Sequence, residues 1–405
     1  MKFHSRRGVA LCVAAALTAS TVAAPSASAQ SSQSSLFTGQ PADTNSSVID
    51  ASSVAAAFSS LRSDIHPVAL PALVISALMG GLLGYLSFER FAFRGSSRLG
   101  SSTVDLDSTF PDLDAPPAEF VSLEHVRDNL YTLTVYSPSM QRNITNDLVL
   151  PAGGTDNTTP RPTFYLLGGA GGGGWTGESG APDFFRDKLI NVVTPRGAIG
   201  SQQADWAQED PKLGLYKWTT YLTKELPPLI DATFHGTGND AIAGMSMSGG
   251  PAMHIATMDD RFKVAGSYSS CPSTTGVLGQ AFASSTVHFY GADPANMWGS
   301  SADPAWAAHS PILNLEDMRN LKLFAAASRG VPHETDQEVK DSPAPLLVVD
   351  EQFNYTCTRY FVDEAREAGL SIDFYEFDEG THNWGLFRRQ LRETWKTIGP
   401  ALVVE

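Results

Sequence analysis

The stretch that decides the fold is Asn239-Asp240-Ala241-Ile242-Ala243-Gly244-Met245-Ser246-Met247-Ser248-Gly249-Gly250. An apolar run climbs to a glycine, a serine follows two residues later, and small residues lead into a helical pattern. That order reads as strand, tight turn and helix, with the serine hydroxyl held out at the turn: a nucleophile elbow. Small neighbours suit it because the turn is strained and the helix must pass close to the next strand. Two serines compete for the role. Ser246 gives G-x-S-x-S and Ser248 gives S-x-S-x-G, and Gly244 two positions ahead favours Ser246. A Gly/Ser-rich turn without chemistry fits the same letters, so the surroundings must decide.

Upstream, residues 163–167 (TFYLL) read as a short buried strand running into Gly168-Gly169-Ala170-Gly171-Gly172-Gly173-Gly174-Trp175. Phosphate cradling requires a lysine or a helix start just after such a run, and neither follows. An oxyanion loop requires backbone N–H groups that approach a substrate closely, which glycine permits. In an α/β-hydrolase the loop after the third strand supplies one donor and the residue after the nucleophile the other. Those donors are Ala170 and Met247, with Gly169 and Gly171 as neighbouring candidates for the first.

Further strands are predicted at 130–136, 144–150, 189–194, 263–267, 321–327 and 372–377, with a helix over 213–230. Strands alternating with helices predict an α/β fold of the hydrolase type, a mostly parallel central sheet flanked by helices. The last strand runs into Asp378-Glu379-Gly380-Thr381-His382-Asn383-Trp384. The loop after the final strand is where this fold carries its general base, which singles out His382 from nine histidines. The acid stays open at this point among Glu334, Asp336, Glu338, Asp341, Asp350 and Glu351, since surface loops commonly carry carboxylates.

The 405 residues are 42% hydrophobic and carry a net charge of −15, which argues against a nucleic-acid partner. Residues 1–29 read as a signal peptide: Lys2, Arg6 and Arg7, then an apolar core, then Ala27-Ser28-Ala29. Export to the cell envelope or medium is expected. Residues 30–65 read as a flexible tether. The segment 66–93 contains an uncharged run over 67–88, long enough to span a bilayer. Arg90, Arg94 and Arg98 follow it, and a span would then leave the catalytic region inside the cell. An interfacial or protein-packed helix is therefore expected, with a membrane anchor as the alternative. Residues 94–118 read as linker and 119–405 as the catalytic domain. Past the signal two cysteines remain, Cys271 and Cys357, and an oxidising compartment favours a disulfide between them.

With these residues in hand, the chain resembles the mycolyltransferases of the antigen 85 group and their corynebacterial relatives, over roughly residues 125–398. The likeness rests on Ser137-Pro138-Ser139-Met140, Tyr165-Leu166-Leu167, Asp205-Trp206, Tyr216-Lys217-Trp218, Tyr221-Leu222-Thr223, Gly244-Met245-Ser246-Met247, Met297-Trp298-Gly299 and Thr381-His382-Asn383-Trp384. It implies Ser246 as nucleophile, His382 as base and, from its position ahead of Phe361 and Ala368-Gly369, Glu351 as the acid. It implies Ala170 and Met247 as oxyanion donors and Trp384 as a lining residue of the acyl and sugar site, where a core tryptophan is the plainer reading. Gly169 and Gly171 fall in the substrate-facing loop.

The implied reaction is serine acyl transfer from a mycolyl-trehalose glycolipid to a second such molecule, cell-wall arabinan or a protein hydroxyl, with no metal or organic cofactor. A secreted serine esterase and a non-catalytic envelope protein are the rival readings. One departure stands out. The family's oxyanion loop reads Leu-Leu-Asp-Gly-Leu-Arg, and its sugar-touching Asp and Arg are Gly168 and Gly171 here.

Overall fold

The computed structural model describes residues 87–95, 101–177, 179–337 and 344–403. The signal peptide, the tether and residues 66–86 of the apolar segment lie outside them, as do Glu338 and Asp341 among the candidate acids.

Among the described residues nine strands form one sheet: β1 (Glu119–Arg127), β2 (Leu130–Ser137), β3 (Arg142–Val149), β4 (Thr163–Leu167), β5 (Asn191–Pro195), β6 (Asp240–Met245), β7 (Phe262–Tyr268), β8 (Lys322–Ser328) and β9 (Ile372–Phe377). Their order is β1-β2-β3-β5-β4-β6-β7-β8-β9. The pairings β1–β2, β2–β3 and β3–β5 are antiparallel, and from β5 to β9 every pairing is parallel. Parallel strands need crossovers, and the crossover helices cover both faces. Strands β4, β5 and β6 are accordingly buried at every residue, which explains their uninterrupted apolar runs. The expected α/β-hydrolase architecture is the one observed.

The helices that matter below are α1 (Ser87–Arg94), α2, α3 (Gly249–Ile255), α4 (Gly276–Phe289), α5 (Ala344–Glu367) and α6 (Trp384–Ala401). Helix α2 is composite: Trp218–Thr220, a π turn over Tyr221–Glu225, then Leu226–Phe234. Pro227 and Pro228 lack the N–H groups that would bond four residues back, and the helix widens there. The predicted helix 213–230 is thus shifted toward the C-terminus. Strand β1 was not predicted, because as an edge strand exposed on both faces it shows no apolar alternation.

The stretch 94–118, expected as linker, is instead fastened to the domain over much of its length. Thr103 N–H donates to Asp303 at 2.5 Å and Asp112 N–H to Thr220 Oγ1 at 2.8 Å. Ala118 N–H donates to Glu225 O at 2.9 Å, and Thr109 is fully buried. The described end of the apolar segment is packed on protein too. The Phe93 ring lies 5.3 Å from that of Tyr360, Arg94 pairs with Glu364, and Thr275 Oγ1 donates to Phe93 O at 3.1 Å. Among the described residues no helix is long and apolar enough to cross a membrane.

Candidate active site

Strand β6 ends at Met245, and the next residue breaks the chain sharply: Ser246 has φ of 53°. A non-glycine residue in that region is strained, and the surrounding packing must hold it there. Gly244 serves space rather than the bend. A Cβ on it would lie 2.2 Å from Ser248 O, and one on Gly249 would lie 2.4 Å from Ser267 Oγ on β7. The two glycines let the turn and α3 close onto the sheet. Ser246 is part-exposed and its hydroxyl makes no hydrogen bond among the described residues. Ser248 is different: it is fully buried, donates to Gly168 O at 2.5 Å and accepts from Gln203 Nε2 at 2.8 Å. Its oxygen is committed, so Ser248 is ruled out as the exposed hydroxyl.

The Ser248 bond also fixes the start of the glycine run. Gly172 N–H closes a turn onto Gly169 O at 2.9 Å, and Gly200 N–H donates to Ala170 O at 3.0 Å. A Cβ on Gly169 would stand 3.5 Å from Ser246 Cβ, so the loop passes directly over the elbow. The Ala170 N–H donates to no group among the described residues. Further along, Gly174 has φ of 123°, and a Cβ there would fall 2.2 Å from the Trp384 ring. The loop therefore touches the elbow at one end and the His382 segment at the other. Trp384 is half-buried and packs edge-on against Trp175 and Phe387, with ring centroids 5.6 and 5.5 Å apart. Gly171 is exposed.

His382 follows β9, and the C-terminal ends of parallel β6, β8 and β9 lie on one sheet edge. Thr381 Oγ1 donates to Asp336 at 3.0 Å, His382 N–H to Leu347 O at 3.1 Å, and Asn383 caps α6 through Gly385 N–H at 2.8 Å. The ring is 9% exposed. Its Nδ1 donates to Glu351 Oε2 at 2.8 Å.

Glu351 is fully buried on α5. Its Oε1 accepts from Ser269 Oγ at 2.7 Å and from Ser328 N–H at 2.8 Å, and Gln390 Nε2 donates to Ser269 Oγ at 2.9 Å. On the other ring nitrogen, His382 Nε2 lies 3.6 Å from Asp350 Oδ2. Burial opposes a charge on the imidazole. Asp350 and the hydrogen-bonded Glu351 outweigh it and raise His382 to about 9. Burial likewise pushes the Glu351 carboxyl up, against the hydrogen bonds from His382, Ser269 and Ser328. With three donors on it, the carboxylate facing an imidazolium is the arrangement the geometry favours.

Of the sequence-predicted residues, the structure joins His382 to Glu351 and lays Gly169 against Ser246. No hydrogen bond links Ser246 to His382 among the described residues. The carboxylate that meets His382 lies on the long helix α5, not in the loop after β8. Glu334 and Asp336 are in that loop, and Asp336 is occupied by the amides of His333 and Thr381. Cys271 and Cys357 lie within bonding distance, their Cα atoms 4.9 Å apart. Ser269, Ser328 and Gln390, which orient Glu351, were missed. Only the irregular backbone of Ser269 (φ 44°) marks one of them, and no sequence pattern encodes that. Among the described residues no group of three or more His, Cys, Asp or Glu is arranged to hold a metal.

Comparison with known proteins fits this geometry. The family described as putative esterase matches residues 137–398. The chain is 31% identical over 275 residues to the diacylglycerol acyltransferase/mycolyltransferase Ag85A of Mycobacterium tuberculosis, covering 64% of this chain and 77% of that protein. It is 32% identical over 246 residues to Ag85B of Mycobacterium avium, covering 57% and 72%. The crystal structure of Mycobacterium tuberculosis MPT51 (FbpC1) superimposes with a TM-score of 0.58 at 25% identity, over 70% of this chain and 99% of that one. An S-formylglutathione hydrolase from Agrobacterium tumefaciens shares the fold, with a TM-score of 0.51 at 16% identity and the same two coverages. With its sheet order, its elbow and these matches, the chain belongs to the antigen 85 family of α/β-hydrolase esterases.

Proposed function

We propose that this protein is an exported serine acyltransferase that moves mycolyl groups between envelope hydroxyls through an acyl-enzyme on Ser246. The observation that carries the reading is the buried His382–Glu351 pair, 2.8 Å apart, on the sheet edge that also bears the strained Ser246 turn. Neutral His382 takes the Ser246 proton, and Glu351 keeps the ring in the tautomer that presents Nε2 and stabilises the imidazolium. Ser246 attacks the ester carbonyl, and the oxyanion is received by the N–H groups of Ala170 and Met247. The sugar leaves with the proton from His382. An acceptor hydroxyl then attacks the acyl-enzyme by the reverse proton path. No step calls for a metal or an organic cofactor.

The relatives' names, diacylglycerol acyltransferase/mycolyltransferase, support transfer of mycolyl groups, and a mycolyl-trehalose glycolipid is the donor in this proposal. A second mycolyl-trehalose, arabinan or a protein hydroxyl is the acceptor. Trp384, half-exposed beside the glycine loop, is proposed to line the acyl and sugar site. The basic start and Ala-x-Ala end of residues 1–29 support export to the cell envelope, and export supports a Cys271–Cys357 disulfide. A secreted serine esterase is the second reading, favoured by one observation: Gly168 and Gly171 stand where the family's sugar-touching Asp and Arg belong.

Intact-mass spectrometry after incubation with mycolyl-trehalose tests the proposal. An acyl adduct that maps to Ser246 and disappears in Ser246→Ala is the expected result. An adduct that survives the substitution, or none at all, overturns it. Product analysis with a sugar acceptor separates the two readings, since free acid alone leaves only the esterase.

A further inference from the structure

We propose that Asp350 is a positioning residue of this site: in the free enzyme it draws the Nε2–H of His382 toward itself and away from Ser246, so that loss of that proton gates acylation. The inference rests on the reading of Ser246 and His382 given above. Its basis is geometric. Both ring nitrogens face carboxylates, Nδ1 toward Glu351 at 2.8 Å and Nε2 toward Asp350 at 3.6 Å. Nε2 is the nitrogen a serine nucleophile needs, and Ser246 Oγ has no hydrogen-bond partner among the described residues. Asp350 does not swing freely. Asn354 Nδ2, one helical turn on, donates to its Oδ1 at 3.1 Å and to its main-chain carbonyl at 3.0 Å. That leaves Oδ2 directed at the imidazole.

The other charges near the ring do not substitute for it. Asp336, from the loop after β8, is taken up by the amides of His333 and Thr381 and the Thr381 hydroxyl. Arg389 on α6 interacts with Asp336 and Glu379. From α6 the ring meets Phe387, edge-on at 5.1 Å. Glu338, Lys340 and Asp341 lie outside the described residues. Two carboxylates and an apolar wall therefore bound the imidazole, and they favour its doubly protonated form.

The imidazolium gives its Nε2 proton to water, and the freed lone pair turns from Asp350 to the Ser246 hydroxyl. When Ser246 attacks, that hydroxyl proton passes to Nε2 and the imidazolium is restored beside Asp350. The same carboxylate thus opposes formation of the base and stabilises the charge that appears on the ring in the transition state. A conservative change at Asp350 must act on both, in opposite directions.

The test is the pH profile of Ser246 labelling by a fluorophosphonate, measured on the full chain between pH 5 and 10.5 for wild type, Asp350→Asn and Asp350→Ala. A part-exposed charge at this distance shifts its neighbour by about one pH unit. The rising limb should move down by that much in both variants. Brønsted behaviour makes a less basic imidazole a slower base, so the profiles should cross: about threefold faster labelling than wild type at pH 7, and about threefold slower on the alkaline plateau. An NMR titration of the His382 ring, assigned by loss of its signal in His382→Gln, reads the same shift without catalysis and can be repeated in Ser246→Ala. An unmoved limb in both variants, with the His382 midpoint unchanged, overturns the role of Asp350 while leaving the triad intact. Wild type that stays unlabelled at every pH overturns the catalytic reading and the proposal with it.

Discussion

His254→Asn should reduce the loss of stability between pH 7.5 and 4.5 by about 2.5 kcal/mol. His254 lies on α3, straight after the elbow, and its Nε2 faces His309 Nδ1 at 3.2 Å; His309 Nε2 meets Thr109 Oγ1 at 2.8 Å. Only one proton fits between the two facing nitrogens, and His254 Nδ1 is buried without a partner. Burial therefore lowers His254 to about 4, and burial together with His254 lowers His309 well below its usual value. The folded-state value lies below the unfolded one, so the unfolded chain takes up the proton first as pH falls. The contribution is fully present above the unfolded value near 6.5, is lost as pH drops from there toward 4, and is constant below. Integrating a titration from about 6.5 unfolded to about 4 folded gives about 2.5 kcal/mol across this interval. Urea unfolding of wild type and variant at both pH values measures it, and carboxylates common to both proteins cancel in the double difference. An asparagine keeps one donor for His309 Nδ1 and cannot titrate. Equal pH losses in the two proteins would refute the claim that His254 is held neutral.

Two further outcomes follow from the site. Glu351→Gln should lower the acylation rate by about 10³–10⁴-fold: the Ser269 hydroxyl and the Ser328 N–H claim the amide oxygen, the NH₂ then faces His382 Nδ1, and the ring proton is forced onto Nε2. Single-turnover labelling measures this, and a loss below tenfold would remove Glu351 from the mechanism. Cys357→Ala should lower stability by about 4–5 kcal/mol on the chain-entropy account for a loop of 86 residues. It should lower activity too, because Cys357 lies on the same helix as Glu351. Unchanged Tm and activity would argue against the bridge.

Which parts of this architecture the sequence reveals follows from how far each depends on distant residues. Strand β4 matches its predicted bounds, and so does β9, because an apolar run and an alternating one each announce a strand locally. Ser246 and His382 are legible for a related reason: each follows a strand of a parallel sheet, and such strands deliver their following loops to one edge. Glu351 obeys no such rule. It is one carboxylate among several until Ser269 from the end of β7, Ser328 from β8 and His382 beyond β9 close around it, and only resemblance singled it out beforehand. The stretch 94–118 fails in the opposite direction. Composition sees Ser, Thr and Asp and predicts solvation, but a hydroxyl bonds protein as readily as water, as Thr109 does against His309. Asp350 combines both difficulties. Its neighbour in sequence, Glu351, grips one nitrogen of the imidazole while Asp350 reaches the other, and two adjacent acids can flank a single ring only because α5 and the loop after β9 meet at that point. Adjacency in the chain makes them a pair, and the fold brings both to one imidazole.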